Sequence, residues 1–429
     1  MKIQNVKGGY DFLPKEQKIR EYINNVIIKN FKEYGFNSIE TPILCYYDIL
    51  ADKYDENNDI LKEIYKLSNQ GERKLGLRYD LTVPFAKFIA LNKNNITFPF
   101  KRYEIAKVFR DGPIKAGRDR EFSQCDADVV GIKGQLIEAE LLSLFVKVFK
   151  NLKIDIYIKY NSRNLMNGLI KEAGIREELV PNVTTIIDKK DKITNEEFEM
   201  MLENLGVSKK EVKLLENYFT MNLDGLKNEF LSTSNEDIKE GLAELERLTE
   251  YLQGLEIDNY CYFDVTLARG QNYYTGNVFE VYDKEKRIRG SIAAGGRYDK
   301  MIGNFIGDGN IYPTVGISFG LSSIYEIVKE SFLEEDASTD IYIIPMNTDI
   351  ECLKVANILR NNGYKVEVEM MRNKLKKSLD YANKQGIKYV IIIGEDELKD
   401  NTVVVKDMFN NNDIKISLDK INELELRWI

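Results

Sequence analysis

The stretch that decides the fold runs from residue 100 to residue 130 and reads FKRYEIAKVFRDGPIKAGRDREFSQCDADVV. Two strand-like runs flank a turn-rich segment, residues 111–117, in which glycine and proline interrupt the pattern. This arrangement predicts two strands joined by a long loop. Alternating isoleucines in 154–158 predict another strand, and the long connections favour a mostly antiparallel sheet over repeated βαβ units. The predicted fold class is therefore α+β.

Charged and polar side chains are concentrated on this loop and on the strand that follows it. They are Arg110, Lys115, Arg118 and Arg120 on the loop, and Gln124, Asp126 and Asp128 on the strand. Arginine presents a rigid fork of donors that suits polyphosphate oxygens, and side chains two residues apart share one strand face. The pattern indicates a phosphate site beside an acidic face that could hold an amine-bearing substrate. A solvated hairpin with surface salt bridges is the alternative.

The segments on either side of this hairpin predict further elements. Residues 17–34 have apolar side chains at helical spacing, and residues 36–44 predict a strand whose proline places it at an edge or an interface. Residues 162–256 are helical and acidic, with capping-box patterns that start at Thr194 and Ser234. An apolar stripe in the last helix of this segment predicts packing against a neighbour.

The last part of the chain predicts a small separate domain. An acidic linker over 334–339 precedes a β-α-β-α-β pattern with helices near 349–361 and 373–385. No Gly-x-Gly-x-x-Gly follows the first of these strands, which argues against a dinucleotide site. Residues 335–429 are therefore expected to form an α/β domain.

The composition excludes several classes of protein. The chain has 429 residues, and its 69 acidic and 61 basic side chains give a net charge of −8, so any nucleic-acid contact requires a local basic patch. Four separated cysteines encode neither a disulfide framework nor a zinc cluster, and no apolar run is long enough to cross a membrane. A soluble cytoplasmic protein is expected. The chain has no histidine, which excludes histidine bases and histidine metal ligands.

Two further clusters could contribute to a binding site. Arg269 lies between glycine-bearing turns and precedes Tyr273 and Tyr274, so the segment could anchor an anion and a planar ring. A hairpin with aromatic cross-strand packing is the alternative. Glycines in 293–299 and 316–320 permit close approach of a ligand or of another element, and both interpretations fit.

Several motifs occur in the order typical of one family. They are Leu77-Arg78-Tyr79-Asp80-Leu81-Thr82, Val108-Phe109-Arg110 with residues 118–126, Ala268-Arg269-Gly270-x-x-Tyr273-Tyr274, Gly8–Pro14 and Gly295–Asp299. Together they resemble histidyl-tRNA synthetases, and residues 374–379 and 393–398 resemble that family's anticodon-binding domain. The resemblance covers nearly the whole chain.

The resemblance implies an architecture and a reaction. Residues 1–328 would form a class II synthetase core with an antiparallel sheet and a helical insertion at about 162–256, and residues 335–429 would bind the anticodon. Two copies would form a homodimer through the segment around Pro42. The activity would be that of a histidine–tRNA ligase, which joins L-histidine and ATP as histidyl-adenylate and then transfers histidine to tRNA-His. Mg²⁺ is the expected partner of the ATP phosphates, and no protein metal site is expected.

The same resemblance assigns roles to individual side chains. It places the histidine amine on Asp80, Thr82 and Gln124, and the histidine ring near Asp128, Tyr273 and Tyr274. It places the α-phosphate between Arg110 and Arg269 as catalytic residues, and the rest of ATP on Arg118, Arg120 and Phe122. Because the nucleophile is a carboxylate, no histidine base is needed, and two fixed arginines would stabilise the charge that develops on phosphorus.

The C-terminal domain offers one basic segment to tRNA. Its cations include Arg372, Lys374, Lys376 and Lys377. A basic helix could contact phosphates of the tRNA, and a solvated lysine-rich face is the alternative.

Three positions depart from the family pattern. Asp111-Gly112 replaces a dipeptide that usually ends in glutamate, and Gln271-Asn272 replaces Leu-Asp. The arginine that stacks on adenine in class II enzymes falls at Ser323, which removes a cation–π contact of about 0.5–2 kcal/mol. If Ser323 lies over the adenine, Ser323→Arg should lower the KM for ATP.

Two other functions fit the same motifs. A non-catalytic paralogue could act as the histidine-sensing regulatory subunit of ATP phosphoribosyltransferase, and another paralogue could bind tRNA without adenylation activity. The regulatory subunits typically lack the anticodon-binding domain and the arginine that corresponds to Arg269, and this chain has both features. Histidine-dependent exchange between ATP and pyrophosphate separates a ligase from both alternatives.

Overall fold

The structure is a computed structural model that describes residues 3–51, 59–114, 117, 119–269, 273–332, 339–410 and 412–423. It divides into two compact units, Met1–Ser331 and Phe332–Ile429. Among the described residues, no helix is both long enough and apolar enough to cross a membrane.

The first unit is built on a large sheet. Its strands are β1 (Asn37–Ser38), β2 (Leu44–Tyr46), β3 (Lys66–Ser68), β4 (Lys74–Leu77), β5 (Phe100–Phe109), β6 (Glu121–Val130), β7 (Ile156–Ser162), β8 (Cys261–Phe263), β9 (Asn277–Asp283), β10 (Ala293–Arg297) and β11 (Thr314–Gly320). Eight of them pair in the order β1-β5-β6-β11-β10-β9-β7-β8, and β2, β4 and β3 form a small antiparallel sheet. Only the β1–β5 and β7–β8 pairs of the large sheet are parallel in the described part of the chain. The predicted antiparallel-rich core is confirmed.

The helices of this unit cover the sheet and form an insertion. They are α1 (Pro14–Glu33), α2 (Tyr47–Ala51), α3 (Asp59–Glu63), α4 (Thr82–Asn92), α5 (Leu136–Asn151), α6 (Arg163–Glu172), α7 (Val180–Ile187), α8 (Asn195–Asn204), α9 (Lys209–Phe219), α10 (Leu223–Glu229), α11 (Glu236–Gly254), α12 (Met301–Ile306) and α13 (Leu321–Val328). Helices α1 and α5 pack on one face, where the ring centroid of Phe319 lies 5.8 Å from Phe31 and 5.1 Å from Phe145. Because strand side chains alternate, Ser318 lies on the opposite face, which holds the cavity described below.

The helical insertion corresponds to α6–α11. The Thr194 side chain accepts a hydrogen bond from the Glu197 backbone N–H, as the capping-box pattern predicts. The second predicted box is wrong, because α11 is capped by Asn235, a strong N-cap residue whose side chain accepts from the Ile238 N–H at 3.3 Å. The apolar stripe of α11 is buried at Ile238, Leu245, Leu248 and Leu252, which agrees with packing.

The expected strand over residues 36–44 is wrong in extent. Only β1 and β2 are strands there, and the residues between them leave the ladder. The Thr41 N–H donates to Glu104 Oε1 at 2.9 Å, and the following residue is a proline without an N–H. A side-chain acceptor therefore replaces the neighbouring strand at this point.

The second unit is a five-stranded mixed sheet with helices. Its elements are β12 (Ile341–Met346), α14 (Asp349–Asn361), β13 (Val366–Val368), α15 (Leu375–Lys384), β14 (Tyr389–Gly394), α16 (Glu395–Lys399), β15 (Thr402–Asp407) and β16 (Asn412–Ser417). Strands β13, β12 and β14 are parallel, as the β-α-β-α-β pattern predicts, and β15 and β16 continue the sheet antiparallel. The β-α-β-α-β prediction does not include these last two strands.

Candidate active site

A cavity of about 220 Å³ opens on the face of the large sheet opposite α1 and α5. Its lining gathers nine side chains that sequence analysis gives as candidate binding residues: Asp80, Thr82, Arg110, Gln124, Asp126, Asp128, Arg269, Tyr273 and Tyr274. Ser291, Ile292, Tyr298 and residues of β10 and β11 complete the lining. Residues from distant parts of the chain therefore meet at one concave, polar surface.

The floor of the cavity is set by the pairing of β6 with β11. Gln124, Asp126 and Asp128 share a face of β6, and Asp126 and Asp128 pair with Ser318 and Gly316. A Cβ placed on Gly316 would lie 1.8 Å from Asp128 Oδ1, so only glycine leaves room for this carboxylate. The glycine at 316 is thus explained by a side chain on the neighbouring strand.

Asp128 is bound to two buried partners. Tyr298 donates its hydroxyl to Asp128 Oδ1, and Arg102 Nη2 lies 2.6 Å from Asp128 Oδ2. The Arg102 side chain is 0 % exposed, and its guanidinium carbon lies 4.2 Å from the Phe85 ring centroid. Burial raises the pKa of Asp128, and the nearby Arg102 guanidinium opposes that shift. The pair holds the Asp128 carboxylate in one position.

A second buried ion pair lies beneath the first. Arg78 Nη1 donates to Glu104 Oε1 at 3.0 Å and to the Thr41 carbonyl at 2.6 Å. Arg102 Nη1 lies 3.8 Å from Glu104 Oε2, so the two arginines share one carboxylate. Arg78 of the Leu-Arg-Tyr-Asp motif therefore joins separate segments of the chain and does not line the cavity.

Asp80 and Thr82 lie where α4 begins. Asp80 Oδ1 accepts the Val83 backbone N–H at 3.1 Å, and Asp80 Oδ2 has no hydrogen-bond partner among the described residues. Burial raises the pKa of Asp80 to about 6, and the Val83 hydrogen bond and Arg110 oppose that shift. The unpartnered oxygen is suited to accept a hydrogen bond from an amine.

Gln124, Asp126 and Ser318 form a polar group across β6 and β11. Gln124 Nε2 donates to Ser318 Oγ at 3.3 Å. Burial raises the pKa of Asp126 to about 8, Asp128 adds to the shift, and Arg102 and the Ser318 hydroxyl oppose it. In the described part of the chain, Asp126 Oδ1 and Gln124 Oε1 accept no hydrogen bond. The group therefore has acceptors available to a ligand.

Arg110 stands at the start of the loop. Its Nε donates to the Tyr79 carbonyl at 2.9 Å, and its guanidinium carbon lies 5.1 Å from the Phe122 ring centroid. These contacts fix the stem of the side chain while the guanidinium borders the cavity. The geometry suits an anion between the β5–β6 loop and the cavity floor.

Arg269 reaches the cavity from the other side. Its φ of +55° lies in the left-handed region, which is uncommon for arginine. Arg163 Nη1 donates to the Ala268 carbonyl at 2.8 Å and to the Arg269 carbonyl at 3.3 Å, which holds this backbone in place. Arg269 Nη1 donates to Glu280 Oε1 at 2.5 Å. Burial alone would lower the pKa of Arg269, but Tyr274 and Glu280 outweigh it and raise that pKa.

The two tyrosines lie close together and close to Tyr298. The ring centroids of Tyr273 and Tyr274 are 4.7 Å apart, and those of Tyr273 and Tyr298 are 5.9 Å apart. A Cβ on Gly296 would lie 2.7 Å from Tyr274 Cε1, so this glycine lets the ring lie close against β10. The cavity thus has an aromatic wall and an acidic floor.

Comparison with known proteins decides the family. A family model described as "Histidyl-tRNA synthetase" matches residues 8–324, and one described as "Anticodon binding domain" matches residues 340–424. The chain belongs to the histidyl-tRNA synthetase family.

Relatives and solved structures agree with this family. The chain is 44 % identical over 425 residues to histidine–tRNA ligase 1 of Bacillus cereus strain ATCC 14579, covering 98 % of this chain and 99 % of that protein. It is 42 % identical to histidine–tRNA ligase 2 of Shouchella clausii, covering 94 % and 96 %. The crystal structure of histidyl-tRNA synthetase from Nostoc sp. PCC 7120 matches with a TM-score of 0.83 at 30 % identity, covering 99 % of both chains.

A further structure shares the fold alone. It is titled an ATP phosphoribosyltransferase regulatory subunit/histidyl-tRNA synthetase from Bacillus halodurans C, with a TM-score of 0.77 at 21 % identity over 92 % of this chain and 99 % of that chain. The regulatory alternative therefore gains no support beyond the shared architecture.

Two of the residues predicted to bind ATP lie outside the lining of this cavity. Arg120 does not line the cavity; its Nε donates to the Gly112 carbonyl at 3.3 Å, and its Nη2 lies 3.3 Å from Asp111 Oδ1. Phe122 also lies outside the lining, beneath Arg110. Lys115 and Arg118 lie outside the described residues, as does the Gln271-Asn272 dipeptide.

Other residues of the site had no predicted role. Arg102, Tyr298, Ser318 and Glu280 each support or line the cavity. The sequence signal for Arg102 and Glu104 is their spacing on β5, because an arginine and a glutamate two residues apart share one face of a strand and can pair. Among the described residues, no group of three or more carboxylate and cysteine side chains is arranged to hold a metal ion.

Proposed function

We propose that this chain is a histidine–tRNA ligase that activates L-histidine with ATP and transfers it to tRNA-His. One observation carries the proposal: the nine candidate side chains, from four separate segments of the chain, line one cavity in a member of the histidyl-tRNA synthetase family. Histidine-dependent exchange of pyrophosphate into ATP by the purified protein tests it. Exchange that does not depend on histidine, or no exchange, would contradict the proposal.

The amino acid is proposed to bind along β6. Asp80 Oδ2 and Gln124 Oε1, which lack partners among the described residues, would accept hydrogen bonds from the ammonium group, with Thr82 beside them. The ring would then lie against the aromatic wall formed by Tyr273 and Tyr274, and toward Asp128. An acidic floor suits a ligand with a cationic end.

The two arginines are proposed to act on the α-phosphate. Attack by the histidine carboxylate builds negative charge on that phosphate, and donors that are already in place stabilise it without reorganisation. Arg110 is fixed by Tyr79 and Arg269 by Glu280, so each guanidinium is held before the substrate arrives. Holding both reactants in line would supply a further part of the rate enhancement. Arg118, Arg120 and Phe122 are proposed to contact the rest of ATP.

Mg²⁺ is proposed to arrive with ATP as part of the substrate. Magnesium takes few protein ligands and is commonly held by substrate phosphates and water. The cavity carboxylate Asp128 is already paired with Arg102, which fits a site without a resident metal. The Mg²⁺ concentration that pyrophosphate exchange requires should therefore rise with the ATP concentration. Removal of metal from the protein without ATP should leave its melting temperature unchanged.

The C-terminal unit is proposed to bind the anticodon of the tRNA, and the first unit to carry out activation. Arg372, Lys374, Lys376 and Lys377 lie before or within α15, and exposed cations at these positions could reach tRNA phosphates. Exposed Met370 and Met371 precede them, so apolar surface lies next to the cations. Such a combination suits a strand with unstacked bases and charged phosphates.

We also propose that the chain is a homodimer. The small β2-β4-β3 sheet near Pro42 exposes the large apolar side chains Ile43, Leu44, Tyr46 and Leu67. Large apolar side chains exposed near one another in a small sheet support an interface with another chain. Light scattering after size-exclusion chromatography should give a molecular mass of twice the 49.7 kDa of one chain. Leu44→Asp should lower the measured mass toward that of a single chain.

A further inference from the structure

Strand β9 carries two polar side chains that connect a residue outside the cavity to one inside it. Glu280 and Tyr282 are two residues apart on this strand, so their side chains share one face. The Tyr282 hydroxyl donates to Glu280 Oε2, and Arg269 Nη1 donates to Glu280 Oε1 at 2.5 Å. Arg269 lines the cavity and Tyr282 does not, so the Glu280 carboxylate is the link between them.

The contact between Tyr282 and Glu280 joins a neutral hydroxyl to a charged carboxylate. Burial raises the pKa of Glu280, but the Arg269 guanidinium and the Tyr282 hydrogen bond outweigh burial and lower that pKa. Burial and the Glu280 carboxylate both raise the pKa of Tyr282, so the hydroxyl keeps its proton. A hydrogen bond to an ionised acceptor is roughly twice as strong as one between neutral groups.

The cation that faces Glu280 across the sheet is bound to other carboxylates. Lys159 of β7 pairs with Glu280 in the β7–β9 ladder. Its Nζ lies 2.6 Å from Asp264 Oδ2 and 3.5 Å from Asp191 Oδ2. In the part of the chain that the structure describes, the ion-pair partner of Glu280 is Arg269.

The ring of Tyr282 is held in place independently of its hydroxyl. Tyr282 lies directly opposite Tyr157 of β7, and the two rings stack with their centroids 5.2 Å apart and their planes at 14°. Lys159 Nζ lies 5.6 Å from the Tyr282 ring centroid. Because these contacts involve the ring, removal of the hydroxyl alone should leave the ring and the strand pairing in place.

Arg269 depends on the position of its carboxylate partner. Its long side chain has many rotamers, so its guanidinium is fixed only as well as the groups that bind it. Its Nε is buried and has no hydrogen-bond partner among the described residues, which leaves that edge of the guanidinium available to a ligand. The Tyr282 hydroxyl therefore contributes to the position of Arg269 by fixing the other oxygen of Glu280.

We propose that Tyr282 is a positioning residue for adenylate formation, because its hydroxyl fixes the Glu280 carboxylate that holds Arg269. This inference rests on the proposed function, in which Arg269 acts on the α-phosphate. A small displacement of a preorganised donor weakens its interaction with the transition state more than its interaction with the bound substrates. The loss of the hydroxyl should therefore lower kcat and leave the KM values nearly unchanged.

The test compares Tyr282→Phe with the wild-type chain in histidine-dependent pyrophosphate exchange. The kcat should fall about tenfold, which is less than the roughly 10²–10³ typical for loss of a transition-state donor itself. The KM for histidine and the KM for ATP should each change less than twofold. A change confined to kcat indicates an effect on the reaction and not on the shape of the binding site.

Tyr157→Phe is the matched control, because it removes a hydroxyl from the other ring of the same stacked pair. Its kcat should equal that of wild type. Glu280→Ala provides a second background, since it removes the carboxylate through which Tyr282 acts. In that background Tyr282→Phe should change kcat less than twofold, because interacting residues have non-additive effects.

The outcomes separate this inference from the proposed function. An unchanged kcat in Tyr282→Phe, when wild type catalyses exchange, would overturn the inference and leave the ligase function intact. An equal loss of kcat with and without the Glu280 carboxylate would also overturn it, because the hydroxyl would then act by another route. Absence of histidine-dependent exchange in wild type would overturn both, since the inference names a contribution to that reaction.

Discussion

At the scale of single residues, the cavity depends on charges that are buried in pairs. Arg102 is wholly buried and faces Asp128, and Arg78 is paired with Glu104 below it. Removal of one partner from such a pair leaves a buried charge unpaired and costs about 3–5 kcal/mol. The pairs hold the floor in place. Oxygens of Asp80, Gln124, Asp126 and Asp128 accept no hydrogen bond from a described residue, so they can accept one from a ligand.

Arg269→Ala is expected to suppress adenylate formation. Loss of a preorganised donor to a transition state typically costs about 10²–10³ in kcat, so pyrophosphate exchange should fall by that factor. Histidine binding measured without ATP should stay within about threefold, because the charge acts on the phosphate.

The matched control for Arg269→Ala is Glu280→Gln, which removes the ion-pair partner and keeps the arginine. Its exchange rate should fall less than that of Arg269→Ala. An exchange rate in Arg269→Ala within about threefold of wild type would remove this residue from the mechanism.

Asp126 should make the stability of the chain depend on pH. Its pKa is raised from 3.8 to about 8, chiefly by burial, with Asp128 and Asp80 adding to the shift and Arg102 opposing it. A carboxyl that holds its proton more tightly in the folded state contributes stability below pH 3.8, and that contribution falls as the pH rises to about 8.

Asp126→Asn cannot ionise, so it should gain stability relative to wild type as the pH rises. Urea unfolding at pH 5 and pH 8 should show this difference grow by roughly 1–3 kcal/mol. A difference that is the same at both pH values would contradict the assignment. A variant that is more stable and yet binds histidine poorly would indicate that the carboxylate is kept for function.

At the scale of elements, α13 and the β5–β6 loop are in direct contact. Ser323 Oγ donates to the Gly117 carbonyl at 3.4 Å. A Cβ placed on Gly117 would lie 2.8 Å from Ser323 Oγ. Gly117 has a φ of +72°, so glycine is favoured there for its backbone as well as for its size. Two small residues thus allow the loop to lie against the helix.

This contact reverses the expectation for Ser323→Arg. An arginine at 323 would collide with the backbone of Gly117, so it should displace the loop and raise the KM for ATP several-fold. Ser323→Ala, which removes only one long hydrogen bond, should change the KM less than twofold. A lower KM in Ser323→Arg would show that the side chain finds room beside the nucleotide, as the sequence pattern alone suggests.

Changes in the basic segment at α15 should affect tRNA binding and leave the activation of histidine unchanged. Replacing Lys374, Lys376 and Lys377 with glutamine should raise the KM for tRNA at least tenfold and leave pyrophosphate exchange unchanged. The slope of log affinity against log salt should also decrease by about 0.7 for each phosphate that the variant no longer neutralises.

The control is the same triple change at Lys399, Lys415 and Lys420, which lie in the same unit. This control removes an equal charge, so equal effects of the two triple variants would assign the result to net charge and not to a site.

At the scale of the whole molecule, the chain combines a net charge of −8 with the absence of histidine. One explanation for the missing histidines is drift under a biased codon supply, since the chain is rich in Asn, Ile, Lys and Tyr. A functional explanation is that a histidine–tRNA ligase without histidine can still be translated when charged tRNA-His is scarce.

Insertion of several histidine codons at exposed positions distinguishes these explanations. Activity of the purified variant should equal that of wild type, because no histidine takes part in the site. Under histidine limitation the variant should accumulate less than a control with glutamine codons at the same positions. Equal accumulation of both variants would favour drift.

The sequence by itself determined the antiparallel hairpin, the helical insertion, the C-terminal α/β unit and the family. These follow from local signals, namely apolar periodicity, turn residues and short motifs, which need no knowledge of distant contacts. It also indicated Asp80, Arg110 and Arg269 as candidate site residues, because each belongs to one of the ordered family motifs.

Only the tertiary structure decided which groups are free and which are already paired. Arg78 belongs to a motif that supplies site residues, yet it is bonded to Glu104 below the cavity. Asp126 and Asp128 are alike in sequence, yet Asp128 lies 2.6 Å from the buried Arg102 guanidinium, whereas the Asp126 carboxylate bonds to the Ser318 hydroxyl. Burial and pairing depend on residues that lie far apart along the chain, and local patterns do not record them.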